Sequence, residues 1–169
     1  FESDMIMKIG KFAFSECSGL RGSLEVPKTI VTIEEGAFSG CSGFDGYLTI
    51  PNSITTIEES AFYGCSKFRG SLVIPDSVAI IGRRAFSGCS GFDGTLKISS
   101  LVHSIGEAAF SGCFGLTGSL SLPDFVETVR SNLFSGCSGL NGTVKLGSAV
   151  ATISEGAVMA CTSIRGSLE

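Results

Sequence analysis

Cysteine is the residue type here with the widest chemical repertoire, and it is also the most regularly placed. Cys17, Cys41, Cys65, Cys89, Cys113, Cys137 and Cys161 follow one another at a constant 24-residue interval. Three chemistries suit thiols so arranged. As disulfides, neighbours stacked roughly 5 Å apart satisfy the Cα separation, but stacked side chains run parallel and miss the required dihedral, and an odd count leaves one thiol over. As metal ligands they lack the paired spacing of zinc sites, because no 24-residue block holds a second cysteine. As packed thiols they are small hydrophobes filling a turn, and this is the preferred reading.

Other reactive groups are sparse. The single histidine, His103, stands in a column otherwise filled by Val31, Thr55, Ala79, Glu127 and Ala151, as a solvated variable residue does. No nucleophile, base and acid recur together, and strings such as Gly40-Cys-Ser-Gly43 lack the lysine and following helix of a phosphate loop. Glu34, Glu35, Glu58 and Glu59 form an acidic group followed by Arg83, Arg84 and Glu107. Calcium favours carboxylates, but neighbouring side chains on a repeat wall diverge, so a solvated face is expected. The formal net charge of −4, with no basic stripe, speaks against nucleic acid and anionic membranes. An enzyme is not expected, nor any cofactor or metal.

The elements that carry these residues repeat with them. A glycine opens each block, at Gly22, Gly46, Gly70, Gly94, Gly118, Gly142 and Gly166. Within the block from Gly70 to Asp93, the apolar columns are Leu72, Ile74, Val78, Ile81, Ala85, Phe86, Cys89 and Phe92. Alternation of Leu72 and Ile74 with Ser71 and Val73 is the period of a strand with one buried face. Val78 and Ile81 suggest a second short extended piece, with turn chemistry at Pro75-Asp76-Ser77 between them. The run Gly82 to Cys89 is too short for a proper helix, so a single helical or 3₁₀ turn is expected there. Units of this kind stack like on like, which makes Phe14, Phe38, Phe62, Phe86, Phe110 and Phe134 one internal column that only Val158 leaves. Arg21, Asp45, Arg69 and Asp93 alternate in sign along another column, and the expectation is that each pairs with an opposite charge on the next repeat.

The unit resembles the BspA-like class of leucine-rich repeats, in which a strand ending in Ile-Pro leads through Val-x-x-Ile-Gly to Ala-Phe-x-x-Cys and then an apolar residue. The matching positions include Ile74, Pro75, Val78, Ile81, Gly82, Ala85, Phe86, Cys89 and Phe92. The resemblance covers the whole chain. It implies a leucine-rich-repeat solenoid of seven 24-residue repeats, with a parallel β-sheet on one face and short strands, turns or 3₁₀ segments on the other. A single domain over 1–169 is expected, truncated at both ends because the chain starts and stops inside a repeat. Mean hydropathy is +0.40, yet no apolar run approaches the ~18–20 residues of a spanning helix, so direct membrane insertion is not expected.

Function is then a question of surface. The outward strand columns are Ser23, Tyr47, Ser71, Thr95, Ser119 and Thr143, and Glu25, Thr49, Val73, Lys97, Ser121 and Lys145. The second varies as a recognition face would, which makes Thr49, Val73, Lys97 and Lys145 binding candidates, and Tyr47 is added because tyrosine is enriched at the energetic centres of interfaces. Leu101, Phe114 and Phe125 replace polar residues of their columns and mark a possible apolar contact patch, while Ser99 in the proline column hints at a rebuilt turn. The family resemblance implies a non-enzymatic protein-binding or adhesion scaffold at the cell surface or outside the cell, with a host or microbial surface protein as partner. The alternative is a structural element that self-associates through its end repeats.

Overall fold

The computed structural model describes residues 6–169. Residues 1–5, the start of the domain assigned to 1–169, lie outside the described residues. Thirteen short strands follow in chain order: β1 (Lys8–Ile9), β2 (Leu24–Glu25), β3 (Thr32–Ile33), β4 (Leu48–Thr49), β5 (Thr56–Ile57), β6 (Leu72–Val73), β7 (Ile80–Ile81), β8 (Leu96–Lys97), β9 (Ser104–Ile105), β10 (Gly118–Ser121), β11 (Thr128–Val129), β12 (Leu140–Lys145) and β13 (Thr152–Ile153). All pairings are parallel, and nearly all join residues 24 apart, as Lys8 to Thr32 and Ile57 to Ile81. The chain is thus a leucine-rich-repeat β-solenoid with two strand walls and a turn wall.

The two strand walls differ. The second, through Ile33, Ile57 and Ile81, is continuous over β1, β3, β5, β7 and β9, and β11 pairs with β13. The first, through Leu24, Leu48 and Leu72, where the alternation is clearer in the sequence, is broken into the pairs β2–β4, β6–β8 and β10–β12. The extended piece that looked secondary therefore carries the longest sheet.

The turn wall corrects the expected helical turn. Among the described residues no helix forms, and none is long and apolar enough to cross a membrane. In the repeat around Phe86, Ala85, Ser87 and Cys89 donate back to the carbonyls of Gly82, Arg84 and Phe86 at 3.3, 3.1 and 3.1 Å. The intervening amides of Arg84, Phe86 and Gly88 instead donate along the axis to Glu107, Ala109 and Ser111 at 2.9, 2.8 and 2.7 Å. Two left-handed residues four apart in each repeat, here Arg84 at φ 53° and Gly88 at φ 77°, stop any helix from propagating. This axial triplet is present at every step from Phe12 to Met159, with distances of 2.6–3.0 Å.

Apolar columns fill the interior. The rings from Phe14 to Phe134 stack at 5.2–5.6 Å with interplanar angles of 1–7°. A second stack, Phe44, Phe68 and Phe92, runs beside it at 5.4 and 5.8 Å. Gly106 is required by this close stacking, since a Cβ there would lie 2.4 Å from the Arg83 backbone nitrogen.

The cysteines are all free thiols, buried from Cys41 to Cys137, with Cys17 exposed at one end. Each Sγ after the first donates to the carbonyl of the phenylalanine 27 residues earlier, as Cys41 to Phe14 at 2.9 Å and Cys89 to Phe62 at 3.0 Å. The same carbonyl takes the backbone N–H of its own repeat's cysteine, as Cys65 to Phe62 at 3.2 Å. Cysteine is therefore a donor in the stack as well as a filler. Burial pushes the Cys41 thiol up to about 11 and Cys137 to about 12, and raises Cys65, Cys89 and Cys113 well above the ordinary thiol range.

Candidate functional site

The outward face of the first wall presents Glu25, Thr49, Val73, Lys97, Ser121 and Lys145, all exposed. Pairing sets Glu25 beside Thr49, Val73 beside Lys97, and Ser121 beside Lys145. Their inward neighbours Leu48, Leu72, Leu96 and Leu120 are buried, so the face stands on a packed support. Tyr47, with 64% of its surface exposed, leans along the wall over Gly70, whose added Cβ would meet the ring at 2.9 Å. Tyr47 and Thr49 stand on β4 or beside it and Val73 on β6, across a seam where the wall is not paired.

The alternating charge column does something other than expected. Among the described residues, Arg21, Asp45, Arg69 and Asp93 form no ion pair with one another. Asp45 instead accepts the N–H of Gly22 at 2.8 Å, Asp93 that of Gly70 at 2.7 Å, and Asn141 that of Gly118 at 3.0 Å. Those three glycines are left-handed at φ 79°, 77° and 81°. The hydroxyls of Ser23, Ser71 and Ser119 similarly accept the amides of Tyr47, Thr95 and Thr143 at 3.0–3.1 Å. The caps of the first wall therefore recur every two repeats and hold β2 to β4, β6 to β8 and β10 to β12, while β12 is also bonded onward, with Val144 donating to Ser167 at 3.1 Å. The Gly22 amide, followed by the Arg21 and Arg69 charges, holds the Asp45 carboxyl below the usual range.

Ion pairs lie elsewhere, on the acidic group. Lys8 meets Glu34 at 2.7 Å, Lys11 meets Glu35 at 2.9 Å, and Arg83 sits between Glu59 at 3.4 Å and Glu107 at 3.8 Å. This solvated ladder links successive repeats, and among the described residues no group of carboxylates, thiols or imidazoles is arranged to hold a metal.

The three large apolar substitutions fall on different walls. Leu101 and Phe125 occupy one column between the strand walls and are 55% and 61% exposed. Phe114 lies on the turn wall, where its ring covers the backbone of Gly112 and Gly136, 3.8 and 3.2 Å from the Cβ positions. The turn after Ile98 is rebuilt, with buried Ser99 accepting the Leu101 amide at 3.1 Å. The column of Leu101 also reveals what it lacks. Thr29, Ser53 and Ser77 donate their hydroxyls to the carbonyls of Ile6, Ile30 and Ile54 in the previous repeat at 2.7, 2.5 and 2.6 Å. Their shared polarity in one column was the sequence signal for this clamp.

Comparison with known proteins agrees with this architecture. A family model described as a BspA type leucine rich repeat region matches residues 3–70 and 70–167 in six copies. A leucine-rich repeat protein from Bacteroides ovatus is 32% identical over 96% of the chain, with a TM-score of 0.82. The leucine-rich repeat protein of T. pallidum is 29% identical over 95% of the chain and 72% of its own length, with a TM-score of 0.80. The chain spans 40% of the length of the Bacteroides ovatus protein. No curated protein matches it.

Proposed function

The chain belongs to the BspA-type leucine-rich repeat family, and on that premise we propose that it is a non-enzymatic protein-binding or adhesion segment of a cell-surface or secreted protein. The observation that carries this reading is the first wall. Its buried leucines hold a row of exposed side chains that differ in charge, size and polarity from repeat to repeat, as a surface shaped for one partner requires. Tyr47, Thr49 and Val73 form its apolar and aromatic centre, and Lys97 and Lys145 extend it with positive charge. The partner class is a host or microbial surface protein.

The test is adsorption of the purified chain to intact epithelial and microbial cells before and after protease shaving. Binding that shaving abolishes, and that Tyr47→Ala or Val73→Glu weakens by about tenfold or more, is the expected result. Unchanged binding in both variants, or adsorption indifferent to shaving, overturns the assignment to this face.

A further inference from the structure

The second strand wall opens once, between β9 and β11. At every other step two amides flanking the strands bridge consecutive repeats. Before the opening these are His103 to the Ala79 carbonyl at 3.0 Å and Gly106 to Ile81 at 2.8 Å, and after it Ala151 to Glu127 at 2.9 Å and Ser154 to Val129 at 2.8 Å. The equivalent bonds from Glu127 to His103 and from Arg130 to Ile105 are missing. The seam coincides with Phe125, the largest residue in the column that supplies a clamping hydroxyl at Thr29, Ser53 and Ser77, whereas the wall stays paired beside Leu101 and Ala149 of the same column. A groove of about 290 Å³ occupies it, lined by His103, Ser104, Phe125, Glu127, Thr128 and Arg130.

We propose that this groove binds a neutral sugar. Two backbone N–H groups and two carbonyls lie unpaired along it, and strand-edge groups of this kind seek partners. Sugar hydroxyls both donate and accept, as do the Ser104 and Thr128 hydroxyls beside them. The Glu127 carboxylate and Arg130 guanidinium balance in charge, which disfavours a net anion or cation and suits bidentate contacts to adjacent hydroxyls. The exposed Phe125 ring supplies the apolar platform on which the C–H face of a pyranose rests. The volume lies at the small end of ligand sites, ~300–1,000 Å³, and fits one or two sugar rings better than a protein loop. This site is separate from the first-wall face, so either can fail without the other.

Saturation-transfer NMR of the chain with millimolar glucose, galactose, mannose, N-acetylglucosamine and their disaccharides, and with glucuronic acid, glucosamine and a tetrapeptide as controls, tests it. The expected result is transfer to the ring protons of at least one neutral sugar, with amide shifts at Glu127 and Arg130. Phe125→Ala and, independently, Glu127→Gln should each cut affinity about tenfold, while Tyr47→Ala leaves it unchanged. The proposal is overturned if no neutral sugar shows transfer, if only a charged sugar or the peptide does, or if neither groove variant changes the binding.

Discussion

The turn wall and the first strand wall come from the same repeat and stack in the same direction, yet one is bonded through three amides at every step and the other is thinner at its seams, where Arg69 donates to Gly46 and Thr117 to Gly94, both at 2.8 Å. The difference lies in where backbone amides point. On the turn wall two left-handed residues four apart in each repeat send alternate amides along the axis and leave the rest to close local turns. On the first wall strands of two to six residues carry the bonding, and caps from Asp45, Asp93 and Asn141 recur at alternate steps. A wall that is continuous with buried phenylalanines and thiols fixes the stack. The other is thereby released to vary its exposed side chains.

The strongest way to break the comparison is to attack the turn wall through its thiols. Burial raises the folded-state value of five cysteines above the ordinary ~8.5, so their contribution is complete below that pH and is lost as pH rises toward the folded values. Chemical denaturation followed by circular dichroism should show stability falling as pH rises above the ordinary thiol value, and replacing the central three with valine should weaken that fall. A stability that is flat between about pH 8 and 10.5 would contradict the burial. Next in size is Phe86→Ala, which opens a cavity in the middle of the ring stack and should cost about 3–5 kcal/mol in chemical denaturation. Val73→Ala on the first wall should stay within about 0.5 kcal/mol. Similar losses for the two would erase the distinction between the walls.

What the sequence revealed divides along the same line. The period, the apolar columns and the stacking of Phe14 through Phe134 were legible because burial selects residue type directly. The axial bonding of the turn wall was not, since it depends on left-handed φ at positions held by residues as unlike as Phe12, Ser60, Arg84 and Asn132. The Arg21, Asp45, Arg69, Asp93 column displayed the two-repeat period, but charge alone suggested ion pairs. Its actual role needs the alternating conformation of Gly22, Gly70 and Gly118, which a glycine's identity does not encode. Leu101, Phe114 and Phe125 stood out as irregular, but only the structure separates Phe114 from the other two. The opening beside Phe125 was hidden because a missing hydroxyl does not mark it, since Leu101 and Ala149 in the same column also lack one and the wall pairs at both.

The clamp column gives a sharper comparison along the stack. Ser53→Ala and Ser77→Ala each remove a clamp to the previous repeat and should cost about 1 kcal/mol. Phe125→Ser restores the clamp where the wall opens. If the bulk of the Phe125 ring holds the seam open, hydrogen exchange at Glu127 and Arg130 slows in that variant, and persistent fast exchange would show that the ring does not control closure.

The smallest effect separates the two accounts of the first wall's charges. If Asp45 acts by accepting the Gly22 amide, Asp45→Asn should keep the melting temperature, because Asn141 makes the same bond to Gly118 without a charge, whereas Asp45→Ala should lower it. If ion pairing held the register, Asp45→Asn and Arg21→Ala would both lower it. The pH dependence runs the same way. A carboxyl held low in the folded state supports folding above its unfolded value and loses that support as pH falls through the folded one, so wild type should lose stability on acidification slightly faster than Asp45→Asn. Equal acid sensitivity in the two would remove the carboxylate from the cap and leave the amide geometry alone to explain why the caps recur at alternate steps.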